Sequence, residues 1–236
     1  MSRILPALFN GDMVKAILRE PPNNKTVTRR LVKLPRYVTE DEDGTFTLQE
    51  EDFGYSSGWS MGELIANQYI KPGYKVGDIL YVRETQSVHR VNDKGTCYVR
   101  VHYKADDKAM DFTVSSHEWE RLAKYDYTDE VFISPYWLTK ETARIWLKVT
   151  DVRVERLQDI TEEQARAEGC IDYHDKTGNG KFDDVLEFDL TARDAFVDLW
   201  NSTLKKDSEH TWAHNPWVWV YEFERCEKPE GALKMM

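Results

Sequence analysis

Apolar and polar positions along this chain switch between the two-residue period of a strand and the 3.6-residue period of a helix, with no regular rhythm. Met13, Ala16 and Ile17 recur at helical spacing within residues 12–19, and Asn10 stands where an N-cap belongs, so a short helix is expected there. Residues 78–84 (DILYVRE) follow the turn pair Gly77–Asp78 and read as a strand, as does the alternating run from Cys97 to Tyr103. Between Ala143 and Val154, the alternation of Ile145, Leu147 and Val149, continued by Val152 and Val154, predicts a longer strand. Ile160 to Gly169 carries a capping box: Thr161 caps, acids fill the first turn and Gly169 supplies the stop. Leu190 to Leu204 sets Ala195, Phe196, Leu199, Trp200 and Leu204 on one helical stripe. A last strand, 217–223, presents Trp217, Trp219, Tyr221 and Phe223 on one face.

Short strands interrupted by helices, without βαβ alternation, predict an α+β fold around a small, mostly antiparallel β-barrel. With no internal repeat and no linker, residues 1–236 are expected to form a single domain with insertions at about 37–70 and 105–135. The first insertion is marked by charge. Lys25 to Arg36 holds Lys25, Arg29, Arg30, Lys33 and Arg36 and no acid, whereas Tyr37 to Ile70 holds Glu40, Asp41, Glu42, Asp43, Glu50, Glu51, Asp52 and Glu63 and no Lys or Arg. The acidic stretch is rich in Gly and Ser around residues 54–58 and reads as a long surface loop, ordered by Phe53, Tyr55 and Trp59. Two roles fit it: a flap that screens the basic segment, or a solvated loop that keeps the protein soluble.

Composition narrows the function. Hydrophobic residues make up 41% of the chain, too many for a disordered acidic segment. Lys and Arg number 32 against 42 Asp and Glu, a net charge of −10, which disfavours a protein that coats a long polyanion. Any nucleic-acid contact is then local, and a small or weakly charged ligand fits better. No apolar run approaches the roughly 18 residues of a membrane span. The N-terminus lacks the apolar stretch of a secretory signal, so a cytoplasmic location and no membrane partner are expected. Cys97, Cys170 and Cys226 are widely separated, with no CxxC pair, and are read as reduced thiols.

Several motifs bear on chemistry. Asp175 to Asp183 resembles a calcium loop, but position 12 is Leu186 where a bidentate acid is needed, so a Gly/Asn-rich turn is the preferred reading. No two histidines sit at i, i+4 on an expected helix, and His214, among Trp212, Asn215 and Pro216, reads as a packed loop residue. No metal is expected. Gly-x-Ser-x-Gly, P-loop and Gly-x-Gly-x-x-Gly runs are missing, so no cofactor is expected either.

The sharpest signal is Lys25-Thr26-Val27-Thr28-Arg29-Arg30. In an extended chain Thr26, Thr28 and Arg30 share one face and Lys25, Val27 and Arg29 the other, and a turn near Lys25 lets its ammonium reach Thr28. Clustered cations lower a lysine pKa by mutual repulsion, and a neutral Lys25 can act as a base toward a hydroxyl. The plainer alternative is a basic edge strand.

Lys25-Thr26-x-Thr28-x-Arg30, then Val76-Gly77-Asp78-Ile79-Leu80-Tyr81-Val82-Arg83-Glu84, and finally Asn215-Pro216-Trp217-Val218-Trp219-Val220-Tyr221-Glu222-Phe223, taken in order, resemble an ASCH-domain protein of the longer phage- and prophage-associated type. Ala143 to Glu168 is similar to the second half of that family, so the likeness runs nearly end to end outside the insertions. It implies a PUA-like β-barrel whose cleft suits a nucleobase or RNA. Small bacterial members are amidohydrolases that remove the acetyl group of N(4)-acetylcytidine with a lysine, a threonine and a glutamate. Matched motif by motif, these are Lys25, Thr28 and, in the pattern Thr161-Glu162 followed by Glu168, the acid Glu168. Two departures stand out: Pro21-Pro22-Asn23-Asn24 replaces a Gly often found before the lysine, and the chain is about twice the length of the small hydrolases.

On this likeness Lys25 takes the proton of Thr28, whose hydroxyl attacks an amide carbonyl, while Glu168 protonates the leaving amine and activates water. Arg29 and Arg30 are candidate substrate or RNA contacts, with Arg30 or backbone donors at the oxyanion. Arg83 and Glu84 contact base edges or pair with one another. For Glu168 the plainer alternative is a solvated acid at a helix C-terminus. A rival function is a non-catalytic RNA-binding module using Lys25–Arg36 with Trp59 or Trp219 for stacking. A third is an interaction protein whose acidic stretch at 40–52 contacts a host factor.

Overall fold

The computed structural model describes residues 2–50, 54–93, 96–125, 132–175, 188–205 and 208–229. From the N-terminus, β1 (Ile4–Leu8) and α1 (Gly11–Leu18) lead into β2 (Val27–Leu31). A meander of β3 (Val38–Glu40), β4 (Phe46–Glu50) and β5 (Gly54–Trp59) follows, with the short helix α2 (Met61–Ala66). Next, β6 (Ile79–Arg83) precedes a second meander of β7 (Gln86–Asp93), β8 (Thr96–Tyr103) and β9 (Lys108–Thr113), and then α3 (Ser116–Leu122). The last third runs β10 (Trp146–Arg156), α4 (Glu162–Ala167), β11 (Tyr173–Asp175), β12 (Phe188–Leu190), α5 (Ala192–Ser202) and β13 (Trp217–Cys226). These elements form an α+β fold, the class the alternation predicts. No helix among the described residues is long and apolar enough to cross a membrane.

The site rests on a five-stranded sheet in the order β1–β6–β10–β13–β2, parallel between β1 and β6 and antiparallel elsewhere. Among the described residues its ladders leave β1 and β2 as edges and do not close into a ring. Its spine is the pairing of β10 with β13 from Trp146 to Arg156, interrupted by a bulge between Val149 and Asp151. Both faces of β13 are covered. Val218 and Val220 pack with Leu157, Ile160, Ala165 and Phe196, under α4 and α5, while Trp219 and Tyr221 pack with Val38, Phe46, Leu48 and Leu64. The one-sided aromatic face expected from sequence is thus half of a strand buried on both sides.

The Gly77–Asp78 turn pins three strands together. Gly77 takes φ +85°, where a side chain would be strained, and donates its N–H to Val149 O at 2.8 Å. Asp78 O accepts from Val149 N at 2.9 Å, Ile79 N donates to Arg3 O at 2.8 Å, and the Asp78 carboxylate pairs with Arg3.

The stretch 37–70 is not the loop the sequence suggests. Val38, Phe46, Leu48, Met61, Leu64 and Ile70 are buried against β13. Tyr55, one of its expected anchors, is 76% exposed; Trp59 is half-buried edge-on to Tyr69, and Phe53 lies outside the described residues. The physical reason is that Phe46 and Leu48 put two apolar groups on one face of a short strand, enough to anchor a meander whose remaining positions are largely polar. Glu40 pairs with Arg156 of β10 and lines a cavity with Leu31–Leu34 of the basic segment but, among the described residues, pairs with none of that segment's cations. Within 105–135, β9 and α3 likewise join the second meander over Val88, Val99, Val101 and Leu122, and 126–131 lie outside the described residues. Of the calcium-like motif only Asp175 is described.

Two measurements check this packing. Phe46→Ala should cost about 3–5 kcal/mol in urea denaturation; an effect within about 0.5 kcal/mol, typical of a surface loop, would show that the meander is not anchored there. For Asp78, burial alone raises the carboxyl pKa, but the Arg3 guanidinium and the Lys75 N–H outweigh it and hold it below the usual range. Such a group contributes stability above its unfolded pKa, about 3.9, and loses it as pH falls through the folded value. Asp78→Asn should therefore lower the Tm at pH 7, with the gap to the unsubstituted protein closing under acid; a gap independent of pH would contradict this account.

Candidate functional site

The site is assembled where β2 meets the ends of α1 and α4. Lys25 N donates to Ala16 O at 2.9 Å and Thr26 N to Ala167 O at 2.8 Å, so the chain entering β2 is clamped between the two helices. The capping box of α4 forms as its sequence requires, Thr161 accepting from Gln164 N while the Gln164 side chain accepts from Thr161 N. The helix stops at Ala167, and Gly169 turns to φ +93°. A Cβ on Gly169 would lie 2.6 Å from the Ala16 Cβ and 3.3 Å from the Lys25 Cβ, so only glycine allows this approach. The result is a buried ion pair. Lys25 Nζ donates to the Glu168 carboxylate at 2.5 Å and to its carbonyl at 2.7 Å, with both side chains almost wholly excluded from solvent.

Burial is the main force lowering the Lys25 pKa from its ordinary value; attraction and hydrogen bonding from Glu168 offset part of it, and repulsion from Arg30 adds a smaller decrease. The expected direction holds, but its cause is desolvation more than crowded cations. Glu168 is not a solvated helix-end acid. Its other oxygen, Oε1, accepts from Arg29 at 3.3 Å, so the carboxylate is held by a cation on each side. Arg29 also donates to Gln164 Oε1 at 2.9 Å and to Glu155 at 3.3 Å. Arg29 is buried, holds Glu168, and lines only a small recess, not the larger open groove.

Thr28 pairs across the sheet with Tyr221 and is buried. It lines a recess of about 70 Å³ together with Glu168, Arg29, Arg30, Met13, Phe196 and Trp200, between β2 and helices α1 and α5. Liquid water occupies roughly 30 Å³ per molecule, so the recess admits two waters or a small acyl group, not a nucleoside. Arg30 lines this recess and also a much larger open groove of about 550 Å³. It donates to Leu8 O at 2.7 Å and lies 5.3 Å from the Phe9 ring.

The groove carries Lys33, Lys71 and Arg83 beside Arg30, with Tyr74, Trp219 and Tyr221 as walls and Tyr136 at the rim. Arg83 donates to Tyr81 Oη at 3.0 Å and to Tyr136 O at 3.2 Å. Glu84 does not join it, because successive side chains on an extended strand point to opposite faces. Instead Glu84 accepts two hydrogen bonds from Arg144, at 2.8 and 2.7 Å, and burial raises its pKa against the pull of that arginine. Arg144 also binds Asp106 and stacks 3.9 Å over Tyr103, so Glu84 ties β6 to the second meander. Of the two expected stacking residues, Trp219 lines the groove and Trp59 packs on Tyr69. Sequence reasoning missed Lys71, Tyr74 and Tyr136; the first two flank the Pro72–Gly73 turn, a signal that gives position in a loop but no partner. Among the described residues no group of His, Cys, Asp or Glu is arranged to hold a metal ion. No family model, characterised protein or solved structure matches the chain.

Removing one member of a buried ion pair leaves the other charge stranded. Lys25→Met or Glu168→Gln alone should each cost about 3–5 kcal/mol in urea, whereas the double variant should cost well below their sum. Additive losses would mean that the two groups do not interact in solution.

Proposed function

We propose that the protein is an amidohydrolase of the ASCH, PUA-like type that acts on an acylated nucleoside or modified base resembling N(4)-acetylcytidine. The observation that supports this reading is the buried contact of Lys25 with Glu168, 143 residues away, together with the small recess that Glu168 shares with Thr28. The five-stranded sheet is then the supporting part of a PUA-like barrel, and the base lies in the groove with its acyl group directed past Arg30 into the recess.

The chemistry balances if the ion pair reacts in its neutral form, with the amine on Lys25 and the acid on Glu168. Lys25 takes the Thr28 proton as the hydroxyl oxygen bonds to the amide carbonyl carbon. Glu168 gives its proton to the nitrogen as the C–N bond breaks, leaving an acyl-threonine, an ammonium and a carboxylate. The carboxylate then takes a proton from water attacking the ester, and the ammonium returns one to Thr28. Arg29, fixed on Glu168 and Gln164, positions the acid.

A non-catalytic binding module is the second reading, favoured by the near-complete burial of Lys25 and Glu168, which neutralise one another. Incubation with N(4)-acetylcytidine and a panel of acylated nucleosides separates the two. On the first reading acid is released, and Thr28→Ala lowers the rate about 10²–10⁴-fold without changing the Tm by more than a few degrees. No release across the panel, with RNA affinity that survives Thr28→Ala and falls steeply with salt, would establish the second.

A further inference from the structure

The groove beside the recess is built for negative charge. Lys33 and Lys71 are exposed on its walls and Arg30 and Arg83 are half-buried in it, and no carboxylate is among its lining residues. In a chain where acids outnumber bases 42 to 32, most cations near acids find partners, as Arg29, Arg144, Arg153 and Arg156 do. None of the four groove cations is ion-paired among the described residues. Arg83 Nε is buried without any hydrogen-bond partner, a donor left unused at the cost of desolvation. Tyr74 lines the groove with Arg30 and Arg83, and burial raises its phenol pKa against the pull of both guanidiniums. The same ring stacks edge-on against Tyr221 at 5.0 Å.

We infer that this groove binds the phosphate of a nucleoside monophosphate, so that the substrate class is the nucleotide and not the neutral nucleoside. The inference rests on the amidohydrolase reading for the identity of the base and adds the charged group that the reading does not require. Cations beside aromatic walls suit a planar base joined to an anion. A phosphate monoester carries about −1.5 to −2 charges at pH 7, more than the single charge of a phosphodiester. The groove volume, about 550 Å³, is that of a small-molecule pocket. A long polyanion would meet repulsion from a surface of net charge −10, which a mononucleotide at this local cluster avoids.

The test is calorimetric titration of the full-length Thr28→Ala protein, in which turnover is blocked, with the four ribonucleosides, their 5′-monophosphates and a short single-stranded oligoribonucleotide. At least one monophosphate should bind roughly ten- to a hundredfold more tightly than its nucleoside. Adding Lys71→Ala or Arg83→Gln should remove most of that difference, and Lys15→Ala, on α1, should leave it unchanged. Thermal melts of each variant confirm that it is folded. Equal affinity for nucleotide and nucleoside, binding of neither, a preference that survives both groove substitutions, or tighter binding of the oligonucleotide would each overturn the inference. Its failure is distinct from failure of the hydrolase: acyl release from neutral nucleosides with no phosphate preference sinks only the former, and phosphate-dependent binding without any acyl release sinks only the latter.

Discussion

A lysine and a glutamate held together out of water constrain everything around them. Removing each ion from solvent costs several kcal/mol, and the contact offsets this only if geometry is good and the remaining hydrogen-bonding capacity is met. Here the Glu168 carbonyl accepts a second hydrogen bond from Lys25 and Arg29 donates to the second carboxylate oxygen. That requirement fixes the local backbone: the end of α4 must close onto α1, and the residue after Glu168 must lack a side chain. It also fixes the fate of Arg29, which without Glu168, Gln164 and Glu155 would itself be a stranded charge.

The sheet converts sequence adjacency into separation of roles. On β2, Arg29 and Arg30 are neighbours, yet the pleat sends one guanidinium to the ion pair and the other to the open groove. The same rule parts Arg83, which faces the groove, from Glu84, which faces Arg144. Two pairs of adjacent charged residues thus supply two buried anchors and two groove-facing cations. Because β13 is covered on both faces, its register against β2 sets both positions at once.

Much of this was legible in the chain. The caps at Asn10 and Thr161 and the strand patterns of β6, β8, β10 and β13 are local signals, and local hydrogen bonds and side-chain periods realise them directly. Lys25, Thr28 and Glu168 stand out through their motifs; the structure pairs Lys25 with Glu168 and sets Thr28 beside Glu168 in the recess, which Lys25 does not line. The meander at 37–70 was hidden because its apolar alternation spans only Phe46 and Leu48 amid a run of acids, and its partner surface, Trp219 and Tyr221, lies far along the chain. The pairing of Glu84 with Arg144 was unreadable for the same reason: sixty residues separate them, while an arginine sits next door pointing the wrong way. The groove is harder still, since its cations come from three segments, the end of β2, the loop at Lys71 and the end of β6, that meet only in three dimensions.

The sequence distance across the ion pair bears on how the molecule comes into being. Lys25 belongs to the first ninth of the polypeptide and its counter-ion to the last third, so a nascent chain carries that ammonium hydrated, with nothing to bury it against, until α4 has emerged. Closing so long a loop is entropically slow, and contacts of this kind dominate high-contact-order folding. The buried pair is therefore among the last features to form during biosynthesis, and a translation product that ends before Glu168 leaves the Lys25 ammonium without its counter-ion.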